Sequence, residues 1–491
     1  MTQALRFLAV PVVLLSAPAL NANAQLISIR TAPVSVGEQF WIYPSQWMGM
    51  GGSLALQDHE LDPFSNPATA SRIGGVLIAS SPTLYTITES DGFGRTLPVT
   101  VLGSSSRSFL GGSIAIQELE SAFTPRFRGG APTVVRTDRF SHNLYTFGLA
   151  GRSWPEHKLS VGLSGSYAKL EKVHAVDLLY PNSEGIEQSG NLTDLRLGLL
   201  KEFSGARYLE AVVVRNKVDM SHVITYVDGT WAQGVFTPTA TRRESNHDRT
   251  TTWGAQAYYS VPAPESRWRW ATALTANVKT HPKIPNYEFM SIPRDPGNSY
   301  AFSLGLGAAR QDTISRLSFD FAYEPVWTST WAEAAEPIRT DRGFIIPKGA
   351  MTVENEFVFS NYAMHVGYAR RWSQVGLQLG LGWRTIRYSL DQYNAITDVQ
   401  RAQDESWTEV TPTWGLTFHL SGIDLRYFGR RHGGGFDFAM ESRTEVIVPA
   451  PDIDIVAAPS NPLSMDVTRV ISHQIGISIP IGSSRSGIAK R

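Results

Sequence analysis

The segment LSVGLSGSYAK, Leu159 to Lys169, alternates apolar and small residues along its length. Successive side chains of a β-strand point to opposite faces, so this period of two predicts a strand with two different faces. The apolar face carries Leu159, Val161, Leu163 and Tyr167, and the other face carries Ser160, Gly162, Ser164 and Ser166. Strands of globular proteins usually have about five or six residues. This strand is therefore predicted to be unusually long.

The same two-faced pattern recurs in many other segments. Two clear apolar faces are Val375, Leu377, Leu379, Leu381 and Trp383, and Trp414, Leu416, Phe418 and Leu420. Several of the opposite faces carry charged side chains, which require water or a charged partner. We predict that these charged residues line a polar lumen: Arg196, Arg269, Arg316, Asp320 and Arg384.

A β-sandwich and a transmembrane β-barrel both alternate, but they turn their apolar faces in opposite directions. Long strands, aromatic residues crowded towards segment ends, and short connections that alternate with long ones favour the barrel. Short connections are predicted near 151–158, 203–207, 261–267, 310–314, 372–374 and 420–422. Long connections are predicted near 119–140, 174–190, 220–249, 281–298, 328–353, 391–406 and 429–466.

These features predict an all-β fold, an antiparallel transmembrane β-barrel over residues 72–482. Counting from Phe109 to Ile481 gives about 14 strands, within a range of about 12–16. Weaker strand patterns near 73–81 and 97–102 account for the upper end of that range. We expect the barrel to be closed, because backbone N–H and C=O groups cannot stay unpaired in lipid.

The N-terminus predicts export. Arg6 precedes an apolar run that ends at Leu20, and Ala22-Asn23-Ala24-Gln25 follows as a small-residue cleavage site. This pattern is typical of a secretory signal peptide, so we predict removal of residues 1–24 near Ala24/Gln25 and localisation in a Gram-negative outer membrane. An uncleaved membrane anchor is the alternative. At the other end, residues 483–491 are predicted to form a polar tail.

Composition excludes several kinds of site. The chain has no cysteine, which rules out disulfides, thiolate metal sites and cysteine nucleophiles. Its 44 basic and 44 acidic residues are scattered, so no basic field indicates a nucleic-acid partner. Neither a Gly-x-Ser-x-Gly elbow nor a His-Glu-x-x-His motif is present. We therefore expect no enzyme activity, cofactor or metal.

Residues 25–71, which precede the barrel, have a different character. Gly49, Met50, Gly51 and Gly52 are followed by a short apolar run, then by Asp58, Glu60 and Asp62, and then by Asn66-Pro67-Ala68. Glycines permit tight turns and close backbone approach, Asn66 can cap a short helix, and Pro67 suits its first turn. The segment is predicted to form a plug. The simpler alternative is that it only braces the barrel wall.

This order of Gly-Met-Gly-Gly, acidic residues and Asn-Pro-Ala ahead of a barrel resembles the N-terminal hatch of FadL-type outer-membrane transporters, a family related to PorV-like barrels. The resemblance implies passive, plug-gated uptake of hydrophobic small molecules, either fatty-acid-like or aromatic. It implies contact with outer-membrane lipid and an apolar ligand. The alternatives are a PorV-like adaptor that binds a partner protein, and a general porin.

The chain departs from the family pattern in three places. Residues 25–46 precede the hatch motif, whereas the hatch of these transporters usually begins close to the mature N-terminus. The acidic residues are spread out, and the chain ends in a polar tail after Ile479-Pro480-Ile481 without a terminal aromatic residue. These departures bear on the substrate class more than on the fold.

Overall fold

A computed structural model of the chain describes residues 39–87, 92–120, 140–174, 185–232, 235–263, 266–281, 284–286, 292–294, 297–334, 336–432 and 470–482. The predicted signal peptide (1–24), the first part of the predicted plug (25–38) and the predicted tail (483–491) lie outside the described residues. These three predictions therefore stay predictions.

The described residues form one closed antiparallel barrel of 16 strands. The strands are β1 (Gly75–Ser80 and Thr83–Ile87), β2 (Gly92–Ser104), β3 (Ser108–Glu120), β4 (Phe140–Trp154), β5 (Leu159–Leu170), β6 (Gly185–Glu202), β7 (Tyr208–Ala232), β8 (Val235–Pro262), β9 (Trp268–His281), β10 (Gly297–Gln311), β11 (Ser315–Glu333), β12 (Met351–Trp372), β13 (Val375–Asn394), β14 (Val399–Leu420), β15 (Ile423–His432) and β16 (Val470–Ile481). Each strand pairs with the next along the chain, and β1 pairs with β16 through Val76 and Ile481. No strand of the barrel is left as an edge.

The expected count of about 14 strands was too low, because the two weak segments near 73–81 and 97–102 are both barrel strands. Prolines weakened their patterns, since proline cannot donate a ladder hydrogen bond. Pro82 interrupts β1, and Pro98 lies within β2. The register of β1 nevertheless continues past the interruption, with Ser80 opposite Ile477 and Thr83 opposite Gln474.

Both ends of the barrel chain lie at one rim, which also carries the short turns. These turns are 105–107, 155–158, 203–207, 263–267, 312–314, 373–374 and 421–422. At the opposite rim the strands end at residues such as Glu120 and His432, and the longer connections that follow them in sequence, 121–139 and 433–469, lie outside the described residues. We call the two rims the short-turn end and the long-connection end.

The long connection expected at 220–249 was wrong. β7 and β8 continue through it as a paired ribbon, from Tyr208 opposite Ser260 to Ala232 opposite Val235. Likewise, the connection expected at 391–406 is shorter in the structure, where only residues 395–398 join β13 to β14. The run RRESNHD (242–248) has no apolar face, so alternation could not reveal a strand there.

The apolar faces of the strands point outward. Leu163 is 60% exposed, Leu197 52% and Leu379 47%, whereas inward-facing Ser164 is 3% exposed and Gln378 4%. A sandwich would bury the leucines instead. An outer surface of exposed apolar side chains is the arrangement of a barrel that contacts lipid.

In the described ranges, helices are few and short. The described ones are the 3-10 helices Met48–Met50, Pro67–Arg72 and Pro155–His157 and the α-helix Asp62–Ser65. None of the helices in the described ranges is long and apolar enough to cross a membrane. Two small hairpins accompany the barrel, Ile284–Asn286 with Ile292–Arg294 and Ile338–Arg339 with Ile345–Ile346.

The outward position of Leu163 leads to a test of the membrane-facing surface. We expect Leu163→Arg to destabilise the protein folded in lipid vesicles by about 2–4 kcal/mol, because the charge would enter hydrocarbon. Urea unfolding in vesicles measures this loss. The matched change Ser245→Arg, in the ribbon of β7 and β8, should cost little. Equal costs at the two positions would contradict the assignment of the outer face.

Candidate functional site

Residues 39–73 form an inner segment that lies against the inward-facing side of the barrel wall. Side chains from widely separated strands hold its backbone. The Leu54 N–H donates to Asp320 on β11 (3.0 Å), and Gln378 on β13 donates to the Gln46 carbonyl (2.8 Å). On the far side of the lumen, Gln117 on β3 donates to the Gln39 carbonyl (2.7 Å). The segment therefore reaches across the interior.

The glycines of the predicted hatch motif form a tight turn against the wall. Gly51 (φ 78°) and Gly52 (φ 85°) follow the 3-10 helix Met48–Met50 in the left-handed region that favours glycine. A side chain at Gly49 would begin 2.9 Å from the backbone of Gly415 on β14. Thr413 on the same strand donates to the Gly49 carbonyl at 3.0 Å.

Met50 extends this contact to the two neighbouring strands, and its side chain is fully buried. Its backbone lies over Gly367 on β12 and Gly380 on β13. A Cβ atom at Gly367 would be only 2.6 Å from the Met50 carbonyl oxygen. The wall thus provides a notch of glycines, where the backbone of the inner segment comes too close for any side chain.

A second glycine notch receives Asn66-Pro67-Ala68. A Cβ atom at Gly162 on β5 would lie 2.7 Å from the Pro67 backbone, and one at Gly198 on β6 would lie 2.9 Å from the Pro67 ring. Both glycines are buried on the inward face, next to the exposed outward leucines Leu163 and Leu197. Close packing of this kind leaves little freedom for the segment to shift.

Asn66 performs the capping role predicted for it and also ties the segment to the wall. Its side-chain oxygen accepts from the Ala68 N–H (3.1 Å). Its amide donates to the Leu199 carbonyl (3.2 Å) and to Glu210 on β7 (3.0 Å). Pro67 starts the 3-10 helix, and Ala68 is fully buried.

The acidic residues Asp58 and Asp62 of the motif accept different hydrogen bonds. Asp58 organises the turn, because its carboxylate accepts from the Ser45 hydroxyl (2.6 Å) and the Gln46 N–H (2.9 Å). Asp62 accepts from the Asp58 N–H at 3.0 Å. Burial raises the pKa of Asp62 well above its usual value, and the nearby carboxylates of Asp58 and Glu210 raise it further.

Ion pairs of Glu60 and of Arg72 join the inner segment to the wall. Glu60 and Arg426 on β15 meet at 2.6 Å, and both side chains are almost completely buried. Burial raises the pKa of Glu60, while the Arg426 guanidinium opposes that rise. Arg72 meets Glu210 and Glu202 at 3.3 Å each and stacks 4.1 Å from the centre of the Tyr208 ring. Removing one partner of a buried pair typically costs about 3–5 kcal/mol.

An aromatic cluster packs the middle of the segment against β4. Tyr43 stacks on Phe64 with ring centres 4.0 Å apart, and Phe64 lies 4.6 Å from Phe147. Ala70 and Ile73 join the same buried cluster. The segment therefore has a small apolar core of its own, shared with the barrel wall.

The five residues predicted to line the lumen all face inward, and three of them contact the inner segment. Arg196 donates to the Ser65 carbonyl (3.2 Å) and pairs with Asp194 (2.6 Å). Arg316 lies 4.7 Å from the centre of the Trp47 ring. Asp320 accepts from Leu54, as described above.

The other two lining residues bond to the barrel itself. Arg269 donates to the Ser260 hydroxyl at 3.0 Å near the short-turn end. Arg384 pairs with Glu324 at 2.9 Å. The structure does not bring these two arginines to the inner segment by any described contact.

Sequence reasoning missed the wall side of the site. The alternating pattern places inward four glycines, Gly162, Gly198, Gly380 and Gly415. The sequence around each glycine does not indicate which residues of the inner segment pack against it. Glu60 appeared only as part of an acidic stretch, because its partner Arg426 is 366 positions away. In the parts of the chain that the structure describes, no group of three or more His, Asp or Glu side chains is placed to hold a metal ion.

These features define a class of protein: a wide, closed, lipid-facing barrel with a folded inner segment fixed to its wall. No family model and no curated protein matches the sequence. The chain is similar to the solved toluene transporter TodX of Pseudomonas putida, at 10% identity and a TM-score of 0.40, covering 88% of this chain and 95% of that one.

Two further similar structures are also transporters by name. The FrpB iron transporter of Neisseria meningitidis, F3-3 variant, has 10% identity and a TM-score of 0.33, covering 83% of this chain and 81% of that one. The copper transporter OprC has 10% identity and a TM-score of 0.35, with the same coverage of 83% and 81%. Identities and scores this low transfer no family, substrate or activity, so the assignment rests on the geometry described above.

The glycine notch at β6 leads to a test of how the segment is held. We expect Gly198→Ala to weaken docking of the inner segment by about 1–3 kcal/mol, because the added methyl group overpacks against Asn66 and Pro67. Hydrogen exchange of residues 39–73 in the folded protein measures this. The control Gly148→Ala adds a methyl group where no atom lies within 4 Å and should change nothing. Unchanged protection in the Gly198→Ala variant would refute the notch.

The raised pKa of Asp62 predicts how docking depends on pH. A carboxyl whose pKa is higher in the docked state binds its proton more tightly there. Docking is therefore strongest below the usual pKa of 3.8 and weakens as pH rises through the raised pKa. Asp62→Asn should flatten this dependence in hydrogen exchange corrected for intrinsic rates, whereas Glu156→Gln, in an exposed turn, should not. A variant that keeps the wild-type slope would exclude Asp62 as the cause.

Proposed function

We propose that this protein is a Gram-negative outer-membrane channel that admits hydrophobic small molecules passively, with the inner segment acting as its plug. The observation that carries the proposal is the anchoring of residues 39–73 to opposite parts of the wall by two glycine notches and by the ion pairs of Glu60 and Arg72. A 16-stranded barrel is wide enough to leave an aqueous channel when nothing fills it. A fixed inner segment would prevent that leak.

The outer surface and the ends of the chain support the location. Exposed apolar side chains face outward on strand after strand, as a lipid-facing wall requires. Both barrel ends lie at the short-turn end, which is the periplasmic side in bacterial outer-membrane barrels. Export by cleavage near Ala24/Gln25 would deliver the chain to that membrane.

The apolar part of the inner wall supports a hydrophobic ligand. Beyond Gly380, towards the long-connection end, Ile386 and Leu390 on β13 face inward and cluster with Val326 and Phe359. Phe357 packs against this cluster, with its ring centre 6.1 Å from that of Phe359. These four side chains pack against one another at 1–7% exposure, and apolar side chains with few polar groups are the usual lining of a small-molecule site. The cluster lies where a solute from outside would arrive before reaching the plug.

The ribbon of β7 and β8 favours a second candidate function, that of an adaptor barrel. Its strands have 25 and 28 residues, whereas crossing a bilayer takes about 9–11. The polar ribbon therefore projects well beyond the membrane, where a partner protein could bind. A PorV-like adaptor would need no open path for a solute.

Two measurements, binding of an apolar ligand and entry of a polar solute, distinguish a hydrophobic-solute channel from an adaptor and from a general porin. We expect the full chain, stripped of ligand, to bind oleate in native mass spectrometry and to admit little arabinose in liposome swelling. Phe359→Ala should weaken oleate binding by roughly tenfold or more, because a buried aromatic contact contributes about 1.5–3 kcal/mol. The control Val358→Ala changes the outer face of the same strand and should not affect binding.

Two results would overturn the proposal. Rapid arabinose entry without oleate binding would indicate a general porin. A tightly co-purifying protein partner, with neither oleate binding nor arabinose entry, would indicate the adaptor.

A further inference from the structure

The outer wall carries an open groove of about 670 Å³ between β4 and β7. Its floor includes Gly148 on β4 and Gly165 on β5, which lie opposite each other in the ladder. Because neither has a side chain, the wall is recessed there. Thr146, Tyr167, Thr193 and Leu195 border the recess.

This groove faces lipid and not the lumen. Tyr167 is 48% exposed and Leu195 51% exposed, on the same outward face as Leu163 and Leu197. Their neighbours along the strands, Ala168 and Asp194, are buried on the inward side. The groove is therefore separate from the plug and from the solute path proposed above.

Basic residues border the groove on its long-connection side. Arg215 on β7 lies opposite Leu195, and Lys217 lies opposite Thr193, one outward position further along. Lys169 follows Tyr167 on the outward face of β5. All three belong to a surface that is otherwise mainly apolar or small. Arg215 lies 5.6 Å from the ring centre of exposed Trp253, which orients its guanidinium along the outer face.

Arg249 on β8 is a fourth cation beside this group. Asp219 lies between Lys217 and Arg249 and neutralises only part of the positive charge of the four cations. Asp219 meets Lys217 at 2.7 Å and Arg249 at 3.4 Å. These four outward cations face two carboxylates, Asp219 and the exposed Glu171 two residues from Lys169, which leaves a net positive charge at this part of the rim. Cations at a lipid boundary attract anionic headgroups, and arginine and lysine are the usual side chains that bind phosphate.

We propose that the groove and its basic border bind an acylated glycolipid that carries phosphate on its sugar headgroup. An acyl chain would lie over Gly148 and Gly165, and a headgroup phosphate would meet Arg215, Lys217 and Lys169. The site lies towards the long-connection end, opposite the chain ends, and so faces the outer leaflet. The choice of a phosphorylated glycolipid rests on the outer-membrane location proposed above. The positive charge matches the phosphate of the headgroup, and the recess matches an acyl chain.

Lipid titration followed by native mass spectrometry of the full chain tests this site. Diphosphoryl lipid A is the probe, and wild type should retain one molecule through detergent exchange. The double variant Arg215→Gln with Lys217→Gln should bind about 25-fold more weakly, because each basic residue near anionic lipid contributes about fivefold. Arg387→Gln, which removes an exposed outward cation on the distant strand β13, is the matched control.

The acyl part of the site has its own variant. Gly148→Leu fills the recess without meeting any atom within 4 Å of its Cβ, so folding should be unaffected. It should weaken lipid A binding while leaving oleate retention in the lumen unchanged. Binding that is equal for lipid A without phosphates, or equal for phosphatidylglycerol, would overturn the assignment. So would unchanged binding in both the charge variant and Gly148→Leu.

Discussion

The rest of this structure depends on closure of the sheet. Every backbone N–H and C=O group that faces hydrocarbon needs a partner within the protein, so a lipid-facing sheet cannot keep an edge. Pairing of β1 with β16 removes the last edge, although Pro82 interrupts β1. Closure also fixes the faces: leucines and aromatic residues contact lipid, and small, polar and charged residues face a wide interior.

The inner segment occupies part of the wide interior. Backbone and aromatic packing fill space near the wall, and glycines at Gly162, Gly198, Gly367 and Gly380 let the segment approach the strands directly. Buried charges then make the fit specific. Glu60 requires Arg426, because either charge alone would be buried without compensation. The small inward-facing residues of the strands are thus the ones that contact the inner segment.

Sequence alone predicted much of the barrel. Alternation around Leu163 and Leu379 assigned the outer face, and six of the seven short turns were predicted, all but 105–107, because both features depend on local pattern. Proline weakened the alternation of the first two strands, which were therefore counted only at the upper end of the predicted range. The polar ribbon of β7 and β8 shows no alternation, so it was predicted as a connection. The turn at Gly49 to Gly52 and the cap at Asn66 are also local. Their wall partners are not, because register and closure bring together residues hundreds of positions apart.

The central claim is that the inner segment closes an otherwise open lumen. Single-channel conductance in planar bilayers tests it most directly, comparing the full chain with a chain that lacks residues 39–73 and still shows the heat-modifiable migration of a folded barrel. Little conductance in the full chain and a large, steady conductance in the shortened chain is the predicted result. Equal conductance of the two folded proteins would contradict the account.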